Sequence, residues 1–191
     1  MIGPQRSETK KFNLVTFLRK NFKLIILAGI AMILFNRYVI LIVLTAIFTV
    51  MGVETQKISR IVPHINVETI TPSSILIGYL YGWKIGLLFG LGLGMYSFFR
   101  VSLIKLTSIT SALLMALSAV LADLFKSLGF SFYIAFIIVM VIRSNIGFFL
   151  FNQINPDMLE NFMHGYVEGL FHIFITLQLM QVIYIVVSPL I

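Results

Sequence analysis

The chain has 191 residues, of which 59% are hydrophobic and only 11% charged, and its mean hydropathy is +1.02. Soluble domains run at about 45–50% apolar and about 25% charged, so water is excluded as the main solvent and a lipid bilayer is required. A formal net charge of +7 without a basic surface interleaved with aromatics argues against nucleic acid, and the lack of cysteine removes disulfides, thiolate metal sites and cysteine nucleophiles.

Runs such as IAFIIVMVI do not alternate at period two as barrel strands do. The expected class is therefore an all-α, polytopic integral membrane protein with about six transmembrane helices. Residues 1–23 form a basic segment. Arg6, Lys10, Lys11, Arg19, Lys20 and Lys23 all precede the first long apolar run. That clustering predicts a cytoplasmic N-terminus in a multi-pass protein of the cell membrane. No small-residue cleavage site follows a short apolar stretch, which argues against a signal peptide. FNLVTFLRKNF can lie as an amphipathic helix on the membrane surface.

Residues 24–191 read as a single transmembrane helical domain. The first apolar run, 24–53, is interrupted by Asn36 and Arg37 and is read as one long helix, two short segments meeting at NRY being the other choice. Residues 54–69, ETQKISRIVPHINVET, read as a polar connection, with Pro63 inside it and Pro72 just after it discouraging continuous helix through the region. The following apolar sequence divides at YGWKIG into short spans, 70–82 and 84–99, with Trp83 and Lys84 at the cytoplasmic headgroups. Further spans are expected at 106–127, 130–152 and 164–188, with KSLG and NQINPDMLEN as connections. In this topology eight basic residues fall inside and four outside, while Glu54, Glu68, Asp157 and Glu160 lie outside.

The stretch GYLYGWKIGLLFGLGLG carries Gly78, Gly82, Gly86, Gly90 and Gly94 at four-residue steps. A phosphate loop would need a strand before it and commonly G-K-[ST], and neither is present. Four residues advance a helix by about 40°, so five such glycines would drift by about 160°. Two shorter packing faces on either side of a tight turn fit better than one seam.

Polar groups within lipid are costly and point to function by default. ENFMHGYVEGLFH sets Glu160, His164, Glu168 and His172 at four-residue steps, so Glu168 is expected close to both histidines on one side of the last helix. The row reads as a buried polar seam, as part of a solute pocket, or as a transition-metal or proton-transfer site on His164, Glu168 and His172. Arg143, within the fifth span, needs an anion. Glu168 is the internal partner, and an anionic solute group is the other. Asn145, Asn152 and Gln153 are candidates to line or close the same pocket, and His64 and Glu68 to cap it. Asp123 and Lys126 have the spacing of a local ion pair. H-E-x-x-H, G-x-S-x-G and Walker patterns are all absent, so no enzyme activity and no cofactor are expected.

The segment PHINVETITPSSILIGYLYGWKIGLLFGLGLG resembles the second and third helices of substrate-binding (S) components of energy-coupling-factor transporters. The matching residues are Pro63, Asn66, Glu68, Thr71, Gly78, Gly82, Gly86, Gly90 and Gly94. The resemblance implies a subunit that captures a small solute, such as a vitamin or metabolite, through Arg143, Asn145, Glu168, His172, His64 and Glu68. It also implies a membrane coupling protein and paired ATPases as partners. Similar glycine turns occur in rod-determining (MreD-like) cell-shape proteins, so a structural scaffold subunit remains open, as does a metal or proton conduit.

Overall fold

The structure is a computed structural model that describes residues 20–24, 26–27, 29, 36–61, 68–101 and 104–191. Among these, 91% are helical and none lies in a strand. Two compact units are distinguished by their internal contacts, residues 1–39 and 40–191. In the first unit the described residues are largely helical, and Phe22, Leu24, Ile26 and Leu27 are exposed. From Asn36 onward the described residues form six helices: α1 (Asn36–Ile61, which runs across the boundary between the units), α2 (Ile70–Tyr81), α3 (Trp83–Val101), α4 (Leu106–Ser127), α5 (Phe132–Ile154) and α6 (Met158–Leu190).

Among the described residues, five helices are long and apolar enough to cross a membrane: α1 over Asn36–Ile58, and α3, α4, α5 and α6 over their full lengths. The exposed Leu88, Phe99, Leu113, Phe149, Phe174 and Val182 make apolar outer faces, the surface expected against lipid chains. The chain is a polytopic α-helical membrane protein.

The remaining helix, α2, has 12 residues and is about 18 Å long, too short for a hydrocarbon core of about 30 Å. All twelve of its residues are buried. Its sequence, ITPSSILIGYLY, is apolar around the whole circumference, which suits a helix enclosed by protein. The hydroxyls of Ser73 and Ser74 donate back to carbonyls at Thr69 and Ile70, so these side chains need no outside partner. Pro72 falls in the first turn, where a missing N–H costs little.

The glycines explain how α2 is enclosed. A Cβ on Gly78 would run into the Ala119 carbonyl of α4, and one on Gly86 would stand 2.6 Å from the Gly78 Cα and 2.8 Å from the Ala119 Cβ. Along α3, a Cβ on Gly90 would stand 2.9 Å from the backbone of Met115 and Ala116, and one on Gly94 would press Met115 and Ala112. Backbones therefore touch where α2, α3 and α4 converge, as small residues permit in lipid. Gly82 has a different duty. Its φ of +93° makes the corner between α2 and α3, a conformation that L side chains rarely adopt. Gly92 packs against nothing.

Asp123 and Lys126 do not pair with each other. The Asp123 carboxylate accepts the Trp83 N–H at 3.0 Å and so caps the start of α3. Lys126 lies over the Tyr79 ring, 5.4 Å from its centroid. The Tyr79 hydroxyl donates to the Phe130 carbonyl at 2.9 Å, which fixes the entry to α5 beside the end of α2. Gly129, at φ +85°, closes α4: its N–H reaches the Lys126 carbonyl, and the Phe130 N–H reaches that of Phe125.

Among the described residues, two boundaries differ from the expected ones by more than two residues. Helix α1 continues past Val53 to Ile61, because ETQKISR is polar without being helix-breaking and Glu54 pairs with Lys57 one turn on. Helix α6 begins at Met158 rather than 164, since the Asp157 carboxylate accepts the Glu160 N–H at 3.0 Å.

Candidate functional site

Glu68 stands just before α2. One carboxylate oxygen accepts the Thr71 N–H at 2.6 Å and the other the Thr71 hydroxyl at 2.7 Å. The unpaired N–H groups and positive end of the helix dipole hold a carboxylate there. This end of α2 reaches no further than the middle of α5. Arg143 meets it at that depth, eleven residues from either end of Phe132–Ile154. Its Nη2 lies 3.0 Å from Glu168 Oε1 and 3.5 Å from Glu68 Oε2. Arg143, Glu68 and Glu168 are all buried.

Helix α6 supplies the rest through its irregularity. The Glu168 N–H bonds the Met163 carbonyl and the Leu177 N–H that of His172, both five residues back. Each such π turn inserts one residue and sets the helix phase back by about a quarter turn. A regular helix would carry positions at four-residue steps progressively round its axis, about 40° at each step. The two π turns offset that drift, and the row stays in line. His164 Nε2 is 3.7 Å from Glu160 Oε1 and its Nδ1 is 3.6 Å from Glu168 Oε2. His172 Nε2 is 3.6 Å from Glu168 Oε1, and its Nδ1 is 3.1 Å from the Thr176 hydroxyl. The row descends from the half-exposed Glu160 and His164 to the buried Glu168, His172 and Thr176.

The expected neighbourhood of Glu168 with both histidines, and its pairing with Arg143, are both present. Glu68 joins them from just before α2, so Glu68, Glu168 and His172 can bring ligand atoms within 4.8 Å of one another. His164 lies on the opposite oxygen of Glu168, nearer the surface. Asn145 is not in the cluster. Two residues along a helix turn by about 200°, and Asn145 is exposed, with its amide donating to the Val141 carbonyl and its oxygen accepting from Tyr166. Asn152 accepts from Asn161 and secures the turn into α6. Gln153 is exposed. His64, Pro63 and Asn66 fall outside the described residues.

Sequence reasoning missed Gly165 and Gly169. A Cβ at Gly169 would fall on the Ser144 hydroxyl, and one at Gly165 would press Phe148 at 3.0 Å. These glycines, four residues apart, let α6 approach α5 closely enough for Glu168 to reach Arg143. The H-G-Y-V-E-G stretch carries that spacing. Thr176, the partner of His172, was also missed, although it extends the four-residue step once more.

Two nitrogen atoms of the cluster, Arg143 Nε and His172 Nε2, are buried without a hydrogen-bond partner. Buried polar atoms are normally satisfied, and an exception inside a charged cluster signals a place for something further. No family model matches the chain, and neither a curated protein nor a solved structure does.

Proposed function

We propose that the chain is a solute-binding subunit of a membrane uptake assembly, with the N-terminus in the cytoplasm of a cell-membrane protein and the solute held by Glu68, Arg143, Glu168 and His172. The observation that carries this reading is the pair of unsatisfied nitrogens at Arg143 and His172, buried in a cluster built from α5, α6 and the residues that lead into α2. Convergent polar groups in an otherwise apolar setting are how small-molecule sites are made. The resemblance of residues 63–94 to energy-coupling-factor S components supports the transport role. The chain has no ATPase motif, so movement of solute would fall to a coupling protein and ATPases. Because Arg143 already faces two carboxylates, the favoured solute brings positive charge to the cluster rather than a further anion.

One observation favours a second reading. The 3.0 Å contact of Arg143 with Glu168 and the glycine contacts of α2, α3 and α4 are also what a scaffold subunit would use as internal glue. Native mass spectrometry of the gently solubilised protein from its own membrane separates the two. A co-purifying solute that is lost on Glu168→Gln, with ATPase subunits in the same particle, is the expected result. A solute-free chain held stoichiometrically in an assembly without ATPases overturns the importer reading.

A further inference from the structure

We propose that Glu68, Glu168 and His172 form a binding site for a divalent first-row transition metal ion, such as Zn2+ or Co2+. This rests on the reading that the buried cluster is where the solute is held, and it names that solute's class.

Three observations converge on it. First, the ligand atoms of the three residues lie within 4.8 Å of one another. Carboxylate oxygen and imidazole nitrogen sit about 2.0–2.2 Å from such an ion, so ligands around it are roughly 3.5–4 Å apart. Shifts of about an ångström would close the site around a metal. Second, His172 Nε2 is buried and without a hydrogen-bond partner, and it points at Glu168 Oε1 from 3.6 Å. Its other nitrogen is engaged by the Thr176 hydroxyl at 3.1 Å. A neutral ring whose Nδ1–H is given to Thr176 presents a bare Nε2 lone pair towards the two carboxylates, the arrangement that orients metal-binding histidines. Third, among the described residues the cluster places two carboxylates and an imidazole around one guanidinium, a mixed oxygen and nitrogen donor set of the kind that transition ions take. An imidazole with two carboxylates selects a transition ion over the all-oxygen preferences of calcium and magnesium. Three protein ligands leave the fourth position to water or to a group carried with the ion.

Arg143 then has a defined part. Its Nη2 occupies the space between the carboxylates, as a tethered cation that the metal must displace. Removing it should tighten metal binding, whereas removing a merely structural residue should not.

The test uses the full chain in detergent, stripped with a chelator and titrated with Co2+ by its visible ligand-field absorption, then with Zn2+ in competition. The expected result is one Co2+ per chain, displaced by Zn2+. Affinity should fall by about ten-fold or more in Glu168→Gln and His172→Gln, and by about ten-fold in Thr176→Val through loss of ring orientation. His164→Gln should leave it unchanged, and Arg143→Gln should raise it. Helical circular dichroism and a monodisperse elution profile verify that each variant is folded. Absence of saturable Co2+ absorption in the folded chain, or equal affinity in folded His172→Gln, overturns the site. The titration reads the isolated chain. Metal binding in a chain that recruits no ATPase would sink the importer and leave the metal site standing, while an organic solute without metal would do the reverse.

Discussion

At Gly169 a single methyl group separates a packed interface from a broken one. Its Cβ would occupy the position of the Ser144 hydroxyl, so Gly169→Ala should cost about 1–3 kcal/mol as overpacking. Ser144→Gly in the same chain should return most of that loss, and thermal unfolding of the four chains of the cycle in detergent measures the coupling. Arg143 carries more. Breaking a buried ion pair by removing one partner costs about 3–5 kcal/mol, so Glu168→Ala should lower the unfolding temperature far more than His164→Ala, whose ring is half-exposed. The Arg143–Glu168 pair was legible in the sequence because a buried guanidinium demands a carboxylate and few were available. Glu68 as the second partner was not legible, since only the tertiary position of α2 carries it to the middle of α5. Asn145 was misplaced for a simpler reason: proximity in sequence to Arg143 puts it on the other side of the helix.

The helices themselves follow from local chemistry, and their exceptions from contacts between them. Gly82 and Gly92 lie in the same glycine-rich stretch but should respond oppositely to alanine. Gly82→Ala must hold φ near +93° and should cost about 1–2 kcal/mol. Gly92→Ala meets no neighbour and should gain up to about 1 kcal/mol from helix propensity. The unfolding temperatures of the two variants decide it. The break at YGWKIG was readable because Gly, Trp and Lys together mark an interfacial turn. The start of α6 was readable too, in the D-x-x-E of Asp157 and Glu160, but the apolar run drew the boundary inward. The two π turns of α6 were not readable. An inserted residue leaves the composition unchanged and shows only in which carbonyl each N–H finds, so the one-sided row was expected from spacing alone and not from any irregularity of the helix.

Across the whole molecule, charge and length agree on where the cluster lies. Arg143 is about 16 Å along α5 from Phe132, and the start of α5 sits beside the end of α2 through Tyr79 and Phe130. A hydrocarbon core of about 30 Å then puts the cluster near the midplane. The orientation is testable with little disturbance because the chain has no cysteine. Lys84 and Gln153, both exposed, lie at opposite ends of the bundle. With the N-terminus in the cytoplasm, a membrane-impermeant maleimide applied to intact cells should label Gln153→Cys at once and Lys84→Cys only after permeabilisation. The reversed pattern would turn the protein over. Composition alone sufficed for the membrane class, and the basic N-terminal cluster for an expected orientation. The enclosure of α2 could be read only in part, from its all-round apolar sequence and its glycines.

The twelve residues of α2 also constrain how the protein is made. As the chain leaves the ribosome, α2 and the Glu68 carboxylate emerge before any of α4, α5 or α6. A segment about 18 Å long cannot partition into the bilayer on its own merit, and Glu68 cannot enter lipid without Arg143. The insertion machinery must therefore retain α2 in a sheltered or interfacial position until later helices arrive to surround it. Every complete molecule thus passes through a stage in which its centre is still outside.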